Sequence, residues 1–205
     1  MSHALDALLP VDASNFGVTR ITALTPTERL AALRARLAEA GVQGFIVPRS
    51  DEYLGEYVPP SGDRLAWLTG FTGSAGMAIV LSDRAAVFTD GRYTLQVRDQ
   101  TDPALWECRH ITEEPASAWL KAHAQDLAIG YDPWLLSGPA VERLAAPGVH
   151  FVPLAANPLD AAWADRPAAP MAEAVPHPLR YAGQSSIDKR AEAAAALREA
   201  GEEAV

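Results

Sequence analysis

The sequence has one cysteine in 205 residues, Cys108, so it can form neither an intrachain disulfide nor a thiolate metal cluster. Cys108 lies in Leu105-Trp106-Glu107-Cys108-Arg109-His110, a predicted strand, and reads as a small core or edge residue rather than a nucleophile. Runs of lysine or arginine are also missing. With a net charge of −9 the chain offers no surface that could track phosphates, which excludes a general nucleic-acid-binding role. His3, His110, His123, His150 and His177 are scattered, without HExxH or any comparable ligand spacing. No apolar run is long enough to span a membrane, and the start, MSHALDALLPVDASNFGV, lacks the basic and apolar regions of a secretory signal. The expected protein is soluble and cytoplasmic, with no nucleic acid or membrane among its partners.

What is present is core-forming material. About half of the residues are apolar (49%), and helical and strand signals alternate along the chain, the pattern of an α/β domain. The most informative stretch is Gly70 to Tyr93, GFTGSAGMAIVLSDRAAVFTDGRY. Met77–Leu81 is a short apolar run bounded by turn residues, as in a strand covered on both faces. Ser82-Asp83-Arg84 turns the chain, and Ala85–Thr89 returns as its partner. Asp90 is expected to cap the following helix, Gly91 to adopt dihedrals other residues avoid, and Arg92 to sit in the first helical turn. The end of a strand is where open α/β sheets keep their ligands, so Arg92 is a candidate contact for an anionic or carbonyl group. On residue chemistry alone, a structural ion pair with Asp90 or a nearby carboxylate is an equal alternative. The glycines do not form a phosphate loop, because no Lys-Ser or Lys-Thr follows and the loop leads into a strand. Close backbone packing explains them. Ser74 has no His–Asp support and is a poor nucleophile candidate.

Residues 1–24 read as a mobile leader. Thr25-Pro26-Thr27-Glu28 then carries a capping threonine, a proline at the first helical position and a glutamate three residues on. Leu30, Leu33 and Leu37 mark the buried face of this helix; Arg29, Arg34, Arg36 and Glu39 are expected outside, and Gly41 ends it. Gly44–Pro48 is a buried strand, and Arg49–Pro60 an irregular, aromatic stretch across one end of the sheet. Helices are predicted over Asp63–Thr69 (Leu65, Trp67 and Leu68 partly inward), Arg92–Gln100 (Tyr93 and Val97 on one face), Pro115–Ala124 and Ser137–Leu144. Strands are predicted over Leu105–Ile111, Leu127–Tyr131 and Val149–Leu154. Asn157 caps a short turn carrying Trp163. The α/β domain is thus assigned to 25–160, a Pro-rich linker (Pro167, Pro170, Pro176, Pro178) to 161–182, and an alanine-rich helix to 183–205. That helix, following a linker, reads as the first element of a second, truncated domain.

The phrases Gly70-Phe71-Thr72-Gly73-Ser74-Ala75-Gly76, Thr89-Asp90-Gly91-Arg92-Tyr93, Ile129-Gly130-Tyr131-Asp132-Pro133, Asn157-Pro158-Leu159-Asp160 and Trp163-Ala164-Asp165-Arg166-Pro167 stand in one order. Together with Tyr181-Ala182-Gly183-Gln184-Ser185 and Asp188-Lys189, they resemble the N-terminal domain and the start of the second domain of the three-domain cytosolic Xaa-Pro aminopeptidases (aminopeptidase P). These belong to the creatinase/prolidase N-domain superfamily. The resemblance implies a mixed β-sheet flanked by helices with a ribonuclease H-like motif. It also implies a parent metallopeptidase that releases an N-terminal residue preceding proline. In that family two divalent metal ions, usually manganese, activate a bridging water, and their ligands lie in a C-terminal domain. No catalytic residue and no metal ligand can therefore be carried onto residues 1–205, and the segment alone is expected to be inactive. The arginine of TDGRY reaches substrate in the family, which makes Arg92 the one expected substrate-binding residue. The implied role is to wall the active-site entrance. The implied partners are a peptide with proline second, the missing second and catalytic domains, and another copy of the parent in a homodimer. Two other readings compete: a non-catalytic peptide- or histone-binding module of the same fold, and a prolidase-like dipeptidase.

Overall fold

The computed structural model describes residues 24–202; apart from Leu24, the expected leader lies outside the described residues. The chain divides into two compact units between Ala169 and Pro170. In the first, α1 (Pro26–Glu39) begins as its sequence dictates. The Thr25 hydroxyl accepts from the Glu28 N–H at 3.3 Å, and the Glu28 carboxylate accepts from the Thr25 N–H at 2.8 Å. Leu30, Leu33 and Leu37 are buried, and Gly41 takes a left-handed φ of 70° after the helix.

There follow β1 (Gly44–Pro48), a 3-10 turn (Pro60–Gly62), α2 (Arg64–Thr69), β2 (Met77–Leu81), β3 (Ala85–Thr89) and α3 (Thr94–Gln100). The unit continues with β4 (Glu107–His110), α4 (Ala116–His123), β5 (Ala128–Tyr131), α5 (Gly138–Leu144), β6 (His150–Pro153) and α6 (Pro158–Ala162). The six strands form one mixed sheet in the order β4-β3-β2-β1-β5-β6. Only β2 is antiparallel to its neighbours; the other pairings are parallel. Five strands therefore end on the same edge, the carboxyl end of the sheet.

The central strands are buried on both faces, and their side chains alternate between two cores. Phe45, Val47, Ala78, Val80, Ala85 and Val87 face the core built with α1, α2, α3 and α6. Ile46, Ile79, Leu81, Ala86 and Phe88 face the core built with α4 and α5. The MAIVL and AAVF runs are apolar because neither of their faces meets water, and Thr89, which ends the second, is buried with its hydroxyl hydrogen-bonded.

One polar cluster crosses the first core. Arg64 is 1% exposed; its Nε donates to Asp160 at 2.7 Å, and its Nη2 donates to Asp160 at 2.9 Å and to Glu52 at 2.6 Å. Burial works against the Arg64 charge, but the hydrogen bonds it donates to Asp160 and then to Glu52 outweigh it and raise the pKa. Arg166 closes the cluster, donating to Asp160 at 2.6 Å and to the Ser61 carbonyl at 2.6 Å. Trp163 is buried beside it and stacks on Trp67 at 5.2 Å. The packed unit accordingly runs beyond residue 160, where the linker is expected to begin.

Several local expectations change. Arg29 and Arg34 are half-buried rather than exposed. Arg29 donates to the Leu24 and Trp67 carbonyls and lies over the Trp67 ring, and Arg34 donates to the Leu81 carbonyl. Leu65 and Leu68 are fully buried, because the helix carrying them is wedged under α1 and β1. The helix after β3 begins at Thr94, so Arg92 precedes it. Asp90 does not cap that helix: its carboxylate accepts from the Arg92 N–H at 3.0 Å, two residues on, and so closes a local turn. Gly91 has no positive φ.

In the second unit, α7 (Leu179–Ala182) falls inside the stretch expected to be linker, and α8 (Ser186–Ala200) is capped by Ser185, whose hydroxyl accepts from the Asp188 N–H. None of the side chains of α8 is buried, as its alanine-rich composition implies.

Candidate functional site at the carboxyl end of the sheet

The residues of Gly70–Tyr93 assemble into one rigid corner at the carboxyl end of β3. Gly70 has φ +83°, and an added Cβ would meet the Gln100 carbonyl oxygen at 2.7 Å. At Gly73 a Cβ would meet the Phe71 ring at 2.2 Å, and at Gly76 it would meet both that ring and the Phe88 carbonyl at 3.0 Å. The glycines are there because the backbone runs against aromatic rings and other backbone, not to cradle phosphate. The Thr89 hydroxyl donates to the Ala75 carbonyl at 2.7 Å, and the Gln100 side chain accepts from the Thr72 N–H at 2.9 Å. Loop, strand end and α3 are thereby fastened together.

Arg92 projects from this corner. Its side chain is 65% exposed, its Nη2 donates to Asp90 at 2.8 Å, and its guanidinium carbon lies 5.1 Å from the centre of the Tyr93 ring. The hydrogen bonds with Arg92 lower the Asp90 pKa, and Asp90 in turn raises that of Arg92. The ion pair considered from sequence is thus formed, and the guanidinium still faces solvent.

Sequence reasoning missed what stands behind Arg92. The Tyr93 hydroxyl shares a 2.7 Å hydrogen bond with Ser74, which lowers the Tyr93 pKa, and the Tyr93 ring packs edge-on against buried Phe71 at 5.8 Å. Ser74 is therefore a brace for Tyr93. His110, at the end of β4, accepts from the Thr112 and Glu113 N–H groups through Nδ1. Its ring lies beside Gly91, where an added Cβ would stand 3.6 Å from Nε2. Ser74, Phe71 and His110 are 18 to 21 residues from Arg92 in sequence, out of reach of local patterns.

The same end carries the loops after β1 and β5, joined by a 2.8 Å hydrogen bond from the Ser50 hydroxyl to the Leu135 carbonyl. Each is pinned by a buried aspartate. Asp51 accepts from the Tyr53 and Gly55 N–H groups, and Asp132 accepts from the Trp134 N–H and the Asn157 amide. The pinned loops leave Tyr53, Tyr57 and Trp134 exposed. Among the described residues no group of three or more His, Cys, Asp or Glu side chains is placed to hold a metal ion, and no helix is long and apolar enough to cross a membrane. The described residues do not fit a two-metal centre.

Comparison with known proteins agrees with this architecture. Residues 29–160, more than half of the chain, match the Creatinase/Prolidase N-terminal domain family. Xaa-Pro aminopeptidase 2 of Rattus norvegicus is 34% identical over 176 residues, 82% of this chain and 26% of that protein. Aminopeptidase P1 of Lotus japonicus is 36% identical over 168 residues, 78% of this chain and 25% of that protein. The crystal structure of X-prolyl aminopeptidase from Caenorhabditis elegans, a cytosolic enzyme with a di-nuclear active site, matches with a TM-score of 0.76 at 27% identity, over 87% of this chain and 32% of that one. The chain spans only 25% to 32% of the length of these relatives. With its mixed sheet of six strands between two helical layers, the chain belongs to the creatinase/prolidase N-terminal domain family.

Proposed function

We propose that this chain is the N-terminal, non-catalytic part of a cytoplasmic Xaa-Pro aminopeptidase, and that its sheet end walls the entrance to an active site supplied by other domains. The observation that carries this reading is the placement of Arg92. It is a solvent-facing cation on a braced turn at the carboxyl end of the sheet, in a chain that covers about a quarter of its aminopeptidase relatives. Residues 25 to about 169 are the creatinase-type domain, the stretch from there to 182 a connection, and 183–205 the opening of the next domain. Two divalent metal ions, manganese in this proposal, would be bound outside the chain; when bound they supply the nucleophilic water. What the present residues contribute is binding: Arg92 donates to a carbonyl or carboxylate of a peptide with proline second, exchanging Asp90 for substrate.

Two measurements test the proposal. Purified residues 1–205 with manganese should give no turnover of an Xaa-Pro peptide, and turnover would overturn the reading. In the full-length parent, Arg92→Ala should lower kcat/KM for peptides by about tenfold, the scale of one charge-assisted hydrogen bond. Unchanged kinetics would assign Arg92 to the Asp90 ion pair alone.

A further inference from the structure

Arg49 directly follows β1 at the carboxyl end of the sheet, and its guanidinium forms no ion pair among the described residues. Its Nη1 donates to the Glu56 carbonyl at 3.4 Å; Nε and Nη2 have no acceptor among the described residues, and neither is buried. The carboxylates at this end are committed elsewhere. Asp51 accepts from the Tyr53 and Gly55 N–H groups, Glu52 from Arg64, and Asp90 from Arg92. Glu56 lends Arg49 its carbonyl and not its carboxylate. The turn leading to Glu56 is pinned by buried Asp51, so the guanidinium has a fixed anchor and open donors. A planar fork of N–H donors is matched best by a carboxylate.

Short polar links connect Arg49 to the corner that carries Arg92. The Arg49 N–H donates to the Gly76 carbonyl at 3.0 Å, and the Thr89 hydroxyl donates to the Ala75 carbonyl at 2.7 Å. Ser74 shares its hydrogen bond with Tyr93, over whose ring the Arg92 guanidinium lies. Ser74, Ala75 and Gly76 thus form a stretch of small residues joining the two arginines. The strands that these arginines follow, β1 and β3, lie on either side of β2, two strand spacings or about 10 Å apart. An extended peptide of about three residues has that reach. Arg92 keeps Nη1 without an acceptor among the described residues, so a donor is open at each end.

We propose that Arg49 reads the C-terminal carboxylate of a short peptide whose backbone carbonyl is held by Arg92, which makes short peptides with a free carboxylate the preferred substrates. The assignment rests on the aminopeptidase reading and names the substrate class of that site. A much longer peptide carries its carboxylate past Arg49 and loses the contact.

The test compares kcat/KM of the full-length parent for Ala-Pro-Ala and for its C-terminal amide. The free acid should be favoured about tenfold, the scale of one charge-assisted pair. Arg49→Gln should bring the ratio to about one by slowing the free acid, and Arg49→Lys should keep part of it, while Arg92→Ala should slow both peptides alike. Thermal unfolding of each variant reports an intact fold. A nonapeptide beginning Ala-Pro should show no difference between acid and amide in the wild type. Equal rates for the two tripeptides, a preference that survives Arg49→Gln, or the same preference in the nonapeptide would overturn the assignment and leave the aminopeptidase reading standing. So would an equal fall for acid and amide in Arg49→Gln, which would mean that the residue only anchors its loop. A parent that turns over neither tripeptide would remove the aminopeptidase reading itself, and this assignment with it.

Discussion

Burying a guanidinium strips it of hydration that only carboxylates and hydrogen bonds can replace, and Arg64 obtains that replacement from Asp160 and Glu52. Its Nη1 remains without a partner, so the cluster organises the core at some cost. Arg64→Ala should destabilise the fold by roughly 3 kcal/mol, the low end for a broken buried pair because both carboxylates are partly exposed. Urea unfolding measures this; a loss under about 1 kcal/mol would place the arginine among ordinary surface ion pairs. Glu52 adds a pH dependence. Burial pushes its pKa up, but the hydrogen bond from Arg64 and the other attractions prevail, and it lies below the ordinary 4.5. A carboxyl lowered in the folded state contributes stability above its unfolded pKa and loses it as pH falls through the folded value. Stability should therefore drop from about pH 4.5 downward, and Glu52→Gln should flatten that slope while leaving it unchanged between pH 6 and 8. Equal slopes would refute the linkage.

At the scale of elements, α1, β1, β2 and β3 could be read from local pattern because each declares its own ends. The capping box, the MAIVL run and the Ser82-Asp83-Arg84 turn need no distant partner to be recognised. The start of α3 could not, since Asp90 satisfies the Arg92 N–H in a turn and leaves the helix to begin without a side-chain cap. The glycine loop behaves as sequence suggested, for reasons its sequence does not display. Gly70→Ala combines a positive φ with a backbone clash and should cost about 1–3 kcal/mol, whereas Gly41→Ala, with the same sign of φ but open space, should cost only about 1 kcal/mol. Thermal unfolding of the two variants separates the contributions; equal losses would mean that the Gln100 carbonyl is not a barrier.

At the scale of the whole molecule, the first unit ends later than composition suggests. Trp163 stacks on Trp67, and Arg166 binds Asp160 and Ser61, so a chain cut after Asp160 loses an aromatic lid and one arginine of the buried cluster. A chain ending at Asp160 should melt well below one ending at Ala169, by several degrees for each kcal/mol lost. Identical melting temperatures would show that 161–169 are connection only.

Sequence by itself determined the class and the cores. Apolar runs with no polar face demand cover on both sides, and alternating helix and strand signals supply it as a layered α/β sheet; this much is local chemistry. Several phrases standing in one order, GFTGSAG and TDGRY among them, also pointed to the family. Tertiary structure decided which charges are buried and who faces whom. Arg34 and Arg64 look like any surface arginine in sequence, yet Arg64 is 1% exposed and Arg34 is half-buried. Ser74 becomes the partner of Tyr93 only when the loop folds back over β3. Burial and pairing between residues far apart in the chain are properties of packing, and no spacing along the sequence encodes them.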